Sequence, residues 1–310
     1  MTMIPDGYRF AAVGARVRPD WDRDDLAVVA SDRPAAAAGV FTQNRVAAAP
    51  VQVSRSRVPA DGMRAIVVNA GNANACTGEP GRRDAVGMAE RAAAGLRCPA
   101  ESVLVASTGV IGRPLPTDRL LPGIDRAVAR LAPGPDSFAA VTRAVLTTDT
   151  RPKVAAEACD GATVLGFAKG AAMIGPNLAT MLGFVLTDAA VAPADLQRIL
   201  SVAADRSFNC VSVEGHTSTN DTVFLLANGP GPRLTGDRLE RFAESVTRIC
   251  ANLAEQIAAD AEGAEHLMVV RVEGLKSEAD ARRVAKCVAE SPLVKTAVYG
   301  GDPNWGRVVS

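Results

Sequence analysis

The chain has 310 residues, enough to bury roughly three quarters of the surface its unfolded form exposes and to divide into more than one domain. Lys plus Arg and Asp plus Glu stand at 34 each, so the formal charge is zero and neither nucleic acid nor an anionic membrane surface is an expected partner. No apolar run reaches membrane-spanning length, and Met1-Thr-Met-Ile-Pro-Asp-Gly7 lacks the basic flank and apolar core of a secretory signal, so a cytoplasmic location is expected.

Strands and helices interleave along the chain. Residues 26–30, 65–69 and 103–106 read as buried strands bounded by turn residues. Ala-rich helices are expected over 83–96 and 117–131, the second interrupted near Pro122, and a third over 136–146. Strands follow at 162–168 and 181–186, then a helix over 193–205 that Pro193 suits as a first-turn residue. Leu239, Phe242, Val246, Ile249, Leu253 and Ile257 recur at spacings of three and four, which predicts an amphipathic helix against a core. A strand over 267–272, a helix over 277–290 and a strand over 294–299 complete an α+β pattern.

The six cysteines (Cys76, Cys98, Cys159, Cys210, Cys250 and Cys287) form no C-x-x-C pair, and the two histidines, His216 and His266, have no ligand spacing. Buried reduced thiols are expected, with no metal site and no cofactor. Cys76, in a Gly/Asn-rich loop, is the one cysteine to weigh for catalysis, and packing is the better reading there too.

The most informative segment is Lys169-Gly-Ala-Ala-Met-Ile-Gly-Pro-Asn-Leu-Ala-Thr180-Met-Leu-Gly-Phe-Val-Leu-Thr-Asp188. A Pro-Asn turn delivers Ala179 and then Thr180 at the start of an apolar run. The Thr180 hydroxyl could attack the carbonyl of Ala179 and give an ester that water hydrolyses. Thr180 would then carry a nucleophilic hydroxyl and a free amine, whose ordinary pKa of about 7.7–8.0 lets it act as the base near neutrality. Read alone, the segment better suits a threonine that opens a buried strand after a Gly-Pro-Asn turn.

Six further blocks bear on that choice. They are Ser31-Asp-Arg-Pro-Ala-Ala-Ala-Ala-Gly-Val-Phe-Thr-Gln-Asn-Arg45, Val68-Asn-Ala-Gly-Asn-Ala-Asn-Ala-Cys-Thr-Gly78, Ser107-Thr-Gly-Val-Ile-Gly112, Thr147-Thr-Asp-Thr150, Thr217-Ser-Thr-Asn-Asp-Thr222 and Gly300-Gly-Asp-Pro-Asn-Trp-Gly-Arg307. With the Thr180 segment they resemble, in order and over nearly the whole chain, the ornithine acetyltransferases, or glutamate N-acetyltransferases, of arginine biosynthesis. The resemblance implies a two-domain α+β fold related to the autoprocessed N-terminal-nucleophile aminopeptidases. It implies domains at 1–190 and 191–310, with self-cleavage between Ala179 and Thr180 into chains 1–179 and 180–310. The implied reaction moves acetyl from N-acetylornithine to glutamate through acetyl-Thr180, with acetyl-CoA left open as a second donor. The implied assembly is an α2β2 heterotetramer of the cleaved chains.

Acyl transfer also needs donors for a tetrahedral oxyanion, and the resemblance assigns them to the Thr108 hydroxyl and the Gly109 amide. It further implies substrate contacts from Lys169, from Thr148 (Thr147 being its neighbouring alternative) and from Glu262. Glu262 is expected just past a helix C-terminus, a place the helix dipole disfavours for an anion. Two departures stand out. Glu214-Gly-His216 replaces the family's Asp-Gly-Asp, and Glu265-His266 replaces Thr-Lys, which points to an altered amine donor or acceptor if the change is functional. The family continues past Arg307-Val-Val-Ser310 into a segment whose Asn and Thr help close the substrate site. The expectation is therefore a shortened C-terminal domain, with the site completed differently or activity lost. The competing readings are an N-terminal-nucleophile amidase or aminopeptidase, with water as acceptor, and an inactive shortened paralogue.

Overall fold

The computed structural model describes residues 2–172, 181–213 and 215–310. Among these, eight strands form one sheet. They are β1 (Tyr8–Val13), β2 (Leu26–Phe41), β3 (Ala60–Asn72), β4 (Val103–Val110), β5 (Lys153–Cys159), β6 (Ala162–Lys169), β7 (Leu182–Thr187) and β8 (Thr222–Ala227). Their order is β4-β3-β2-β8-β7-β6-β5, with β1 paired to β2. The 190/191 division expected from the sequence falls between β7 and the next helix, and β8, from beyond it, lies between β2 and β7.

β2 joins the two halves of this sheet. Its first part pairs with β1 and β3 and its last six residues pair with β8. The β2–β3 register slips between Ala30 and Ala37, where Pro34 has no amide to give a ladder. The halves fold onto one another over a shared core. Ile66, Val68, Leu104 and Ala106 from one side meet Leu165, Phe167, Phe184, Leu186, Phe224 and Leu226 from the other. Phe167 and Phe184 stack there with ring centres 4.6 Å apart. The Tyr8 hydroxyl is buried in this layer and donates to the carbonyls of Leu226 (2.9 Å) and Thr187 (3.2 Å).

Helices cover both outer faces, which is why the strands read as nearly continuous apolar runs and not as alternating ones. The helices are α1 (Ala49–Arg55), α2 (Gly78–Leu96), α3 (Thr117–Ala129), α4 (Pro135–Ala144), α5 (Pro193–Asp205), α6 (Gly236–Ala259), α7 (Glu278–Glu290), α8 (Pro292–Tyr299) and α9 (Gly306–Val309). α2 and α3 pack on the outer side of β2–β4, through Met88, Ala92, Leu120 and Ile124. α5 and α6 cover β6–β8, and the predicted stripe from Phe242 to Ile257 is the buried face of α6. α6 can lie close because Gly166 on β6 has no side chain: a Cβ there would sit 2.5 Å from Ile249 Cγ2.

Four expectations need correction. α3 runs through Pro122 without interruption; the proline withholds one helical hydrogen bond while Leu120, Ile124 and Ala127 bury the helix face on both sides of it. Residues 267–272 form no strand, although the composition favours one: among the described residues no strand pairs with them, and Val269 is 80% exposed. Residues 294–299 lie in α8, because Ser291 caps it by accepting from the Val294 amide and Pro292 suits its first turn; these start signals outweigh the β-branched residues that follow. Of the six thiols only Cys250 is buried, while Cys76, Cys210 and Cys287 are exposed on turns and on the lightly packed α7. Among the described residues no helix is long and apolar enough to cross a membrane.

Candidate active site

The ends of β3, β4 and β6 and the starts of β5, β7 and β8 come together at one end of the sheet. Period-two alternation decides which side chains enter. Leu104 and Ala106 face the shared core, and two residues further on Thr108 occupies the same side of β4. Leu165 and Phe167 do likewise on β6, followed by Lys169. Lys169 Nζ accordingly donates to Thr108 Oγ1 across the layer at 3.3 Å, with Lys169 2% and Thr108 4% exposed.

Gly109 follows at φ +133° against the end of β3. A Cβ at this position would lie 2.3 Å from the Gly71 carbonyl carbon and 2.5 Å from the Asn72 nitrogen, so only glycine fits. The asparagine-rich block of β3 forms the scaffold behind this turn. Ser107 Oγ donates to Asn69 Oδ1 at 2.6 Å, and Asn72 Nδ2 donates to the carbonyls of Arg113 and Pro114. Asn220, ahead of β8, donates through Nδ2 to the carbonyls of Ala73 (2.6 Å) and Ser107 (2.9 Å), fastening the turn to the strand on the far side.

A chain of buried charges lies beside Lys169. Asp149 accepts from Lys153 Nζ at 2.6 Å and from the Gly170 amide at 2.5 Å, and its second oxygen is 4.0 Å from Lys169 Nζ. Lys153 also bonds Asp260 at the C-terminal end of α6, and Asp260 accepts from the Thr150 amide at 3.0 Å. Burial raises the Asp149 carboxyl pKa, but the two lysines and its hydrogen bonds outweigh that and hold it below the ordinary carboxylate value. Burial pushes the Lys169 ammonium down, opposed by Asp149 and Asp221.

Asp221 is a different case. Its side chain is fully buried, Oδ1 accepts the Met181 amide at 3.1 Å, and Oδ2 has no hydrogen-bond partner among the described residues. Burial drives its carboxyl well above the ordinary range, against the lowering influence of the Met181 amide, Ser218 and Lys169. Met181 is the residue bonded to Thr180. Ala179 and Thr180 themselves, with the expected cleavage site between them, lie outside the described residues.

Among the other expected contacts, Thr148 is exposed beside the buried Asp149 carboxylate. Glu262 is exposed two residues past Asp260, and its amide donates to the Ala171 carbonyl at 2.6 Å. The fold therefore draws Thr108, Gly109, Thr148, Lys169 and Glu262 toward one region. His216 and His266 are both exposed. Sequence reasoning passed over Asn69, Asn72, Asp149, Asn220 and Asp221, although each lies in a quoted block; their signal was a polar residue in or beside the end of an apolar strand. A cavity of about 1180 Å³ between residues 206–213, α6, residues 263–272, α7 and α8 holds His266 but is lined mainly by alanine, valine and other small side chains, and it includes neither Thr108 nor Lys169.

With this geometry established, likeness to known proteins becomes informative. The sequence model of the ArgJ family matches residues 9–310. An arginine biosynthesis bifunctional protein ArgJ from Symbiobacterium thermophilum is 49% identical over 315 residues, covering 99% of this chain and 78% of that protein. The structure of an ornithine acetyltransferase from Mycobacterium tuberculosis, complexed with ornithine, matches with a TM-score of 0.51 at 38% identity, covering 56% of this chain and 92% of that one. A β-aminopeptidase from Burkholderia sp. matches with a TM-score of 0.52 at 12% identity, covering 84% of this chain and 86% of that one. That last likeness concerns the fold alone, and it bears out the expected resemblance to the aminopeptidase fold.

Proposed function

Because this chain belongs to the ArgJ family, acyltransferases of arginine biosynthesis, we propose that it cuts itself between Ala179 and Thr180 and then carries acetyl from N-acetylornithine to glutamate on Thr180. The observation that carries this reading is the meeting of Thr108 and Gly109 with Lys169 where the chain leaving Thr180 enters β7. Leu182, two residues after Thr180, pairs with Lys169 in the β6–β7 register. The extent of the M. tuberculosis match adds support. It spans 56% of this chain, close to the 179 of 310 residues that precede the junction.

In the first reaction the Thr180 hydroxyl attacks the Ala179 carbonyl. The peptide C–N bond breaks, and water hydrolyses the resulting ester to leave an Ala179 carboxylate and a free Thr180 amine. In the second, Thr180 Oγ attacks the acetyl carbonyl of N-acetylornithine while its proton passes to the α-amine. The oxyanion takes hydrogen bonds from the Thr108 hydroxyl and the Gly109 amide. The C–N bond to ornithine then breaks, and the α-ammonium returns the proton to the departing nitrogen. Glutamate attacks the acetyl ester by the reverse path and leaves as N-acetylglutamate, restoring the Thr180 hydroxyl. The kinetics are ping-pong. Exposed Glu262 and Thr148 serve the ammonium and polar groups of the amino acid, and Lys169 retains two further protons for a substrate carboxylate. Acetyl-CoA is the candidate second donor, and the cleaved chains assemble as α2β2.

Mass spectrometry of the purified protein tests the first step: fragments 1–179 and 180–310 are expected, and a Thr180→Ala chain stays whole. Incubation with N-acetylornithine and isotopically labelled glutamate then yields labelled N-acetylglutamate. Free acetate in its place overturns the transferase reading and leaves water as acceptor. Native mass measurement reports the assembly, and acetyl-CoA in place of N-acetylornithine reports the second donor.

A further inference from the structure

Lys169 is fully buried and is already engaged by two groups of the protein itself. An ammonium can only donate, so the 3.3 Å contact uses Thr108 Oγ1 as an acceptor. The hydroxyl has one proton, and that proton must point away from Lys169. Among the described residues no acceptor takes it, although the side chain is 4% exposed. Lys169 is in turn held from behind. Asp149 Oδ2 stands 4.0 Å from Nζ, and Asp149 is itself fixed by Lys153, by the Gly170 amide and, through Lys153, by Asp260 on α6.

We propose that Lys169 is the residue that aims the Thr108 hydroxyl proton at the reacting carbonyl, and that Asp149 is a positioning residue acting through Lys169. The proposal rests on the reading of Thr108 as an oxyanion donor. A free hydroxyl rotates among several directions, whereas one that accepts from a buried cation keeps a single useful direction. Its proton is also made a stronger donor, because hydrogen bonds in series polarise one another. The lysine thus acts on the transition state of both reactions, and not only on the carboxylate of a bound amino acid. Loops alone would hold such an arrangement poorly; here Thr108 and Lys169 sit at the ends of two packed strands.

Self-cleavage separates the two roles, because it involves no substrate carboxylate. The experiment follows the self-cleavage of freshly translated full-length chain by denaturing gel for wild type, Thr108→Ala, Lys169→Met, Lys169→Arg, Asp149→Asn and the Lys169→Met/Thr108→Ala double variant. Thermal melts of the uncleaved chains check that each is folded. Thr108→Ala is expected to slow cleavage about 10²- to 10³-fold, the usual cost of one oxyanion donor. Lys169→Met slows it comparably, and the double variant is little slower than either single one, because both remove the same donor. Lys169→Arg retains part of the rate, and Asp149→Asn loses about tenfold. If Lys169→Met is folded and cleaves at the wild-type rate, or if its loss multiplies with that of Thr108→Ala, the relay is overturned while the acetyl-transfer reading stands. A wild-type chain that never cleaves overturns that reading instead.

Discussion

Replacing Gly109 by alanine separates two consequences that most active-site substitutions confuse. The new Cβ would sit 2.3 Å from the Gly71 carbonyl carbon and 2.5 Å from the Asn72 nitrogen. Both are backbone atoms in the parallel β3–β4 pairing, so no side chain can swing aside. An alanine also resists φ +133°. Backbone strain of about 1–3 kcal/mol and overpacking of about 1–3 kcal/mol together predict a destabilisation of roughly 2–6 kcal/mol. The strands must part where the amide of residue 109 is aimed, so a loss of about 10²- to 10³-fold in acetyl transfer is expected besides. Gly112 is the control. It has φ +78° on the same turn, but a Cβ there meets nothing within 4 Å, so Gly112→Ala should cost only strain, about 1–3 kcal/mol, and leave the rate within a few-fold of wild type. Urea titrations give the stabilities; single-turnover acetylation of Thr180 gives the rates. A Gly109→Ala protein that keeps the wild-type acetylation rate refutes the role given to this amide, whatever its stability.

Asp221→Asn, compared in uncleaved Thr180→Ala chains, is expected to raise the melting temperature near pH 8 and to slow self-cleavage when Thr180 is present. A carboxyl whose folded pKa is raised favours the fold below its unfolded value near 3.9 and loses that contribution as pH rises through the folded value, so the gain from asparagine should shrink toward pH 4. Destabilisation by asparagine at pH 8 would contradict the assignment. Lys153→Met strands the Asp149 and Asp260 carboxylates and should cost about 3–5 kcal/mol in urea denaturation at pH 7. Because both carboxyls are held low in the fold, the wild-type chain should lose stability as pH falls from about 4 through their folded values, and the variant should lose less. Phe167→Ala removes the ring stacked on Phe184 between the two halves of the sheet and should destabilise by about 3–5 kcal/mol, read by the same titration.

Strands 162–168 and 181–186 and the helices over 193–205 and 239–257 were legible because one physical rule, an apolar run or a three-four spacing, governed each. The segment 294–299 misled because its β-branched residues compete with a Ser-Pro start that only the capping hydrogen bond reveals. The candidate site divided along similar lines. Thr108, Gly109 and Lys169 stood in blocks whose pattern could be recognised. Asp149 and Asp221 stood in two of the other blocks but pass for turn carboxylates until burial is known. Their importance comes from contacts across 20 and 40 residues of chain, to Lys169 and Met181, and spacing along a sequence carries no information on such contacts.

The strand order carries a further consequence. β7 and β8 both follow residue 180, yet they are inserted side by side between β2 and β6, which precede it. A cut at Ala179/Thr180 therefore yields two polypeptides that are interleaved and not merely adjacent. Each ladder from β2 to β8 and from β7 to β6 crosses between them, and separating the pieces would expose four raw strand edges and the aromatic layer they enclose. Neither piece holds a complete sheet, so the two must be made as one chain and fold before they are divided. Maturation by such a cut would be a one-way step: heated or unfolded after it, the protein would have to find its partner again by collision, at a rate set by concentration instead of by the tether it was born with.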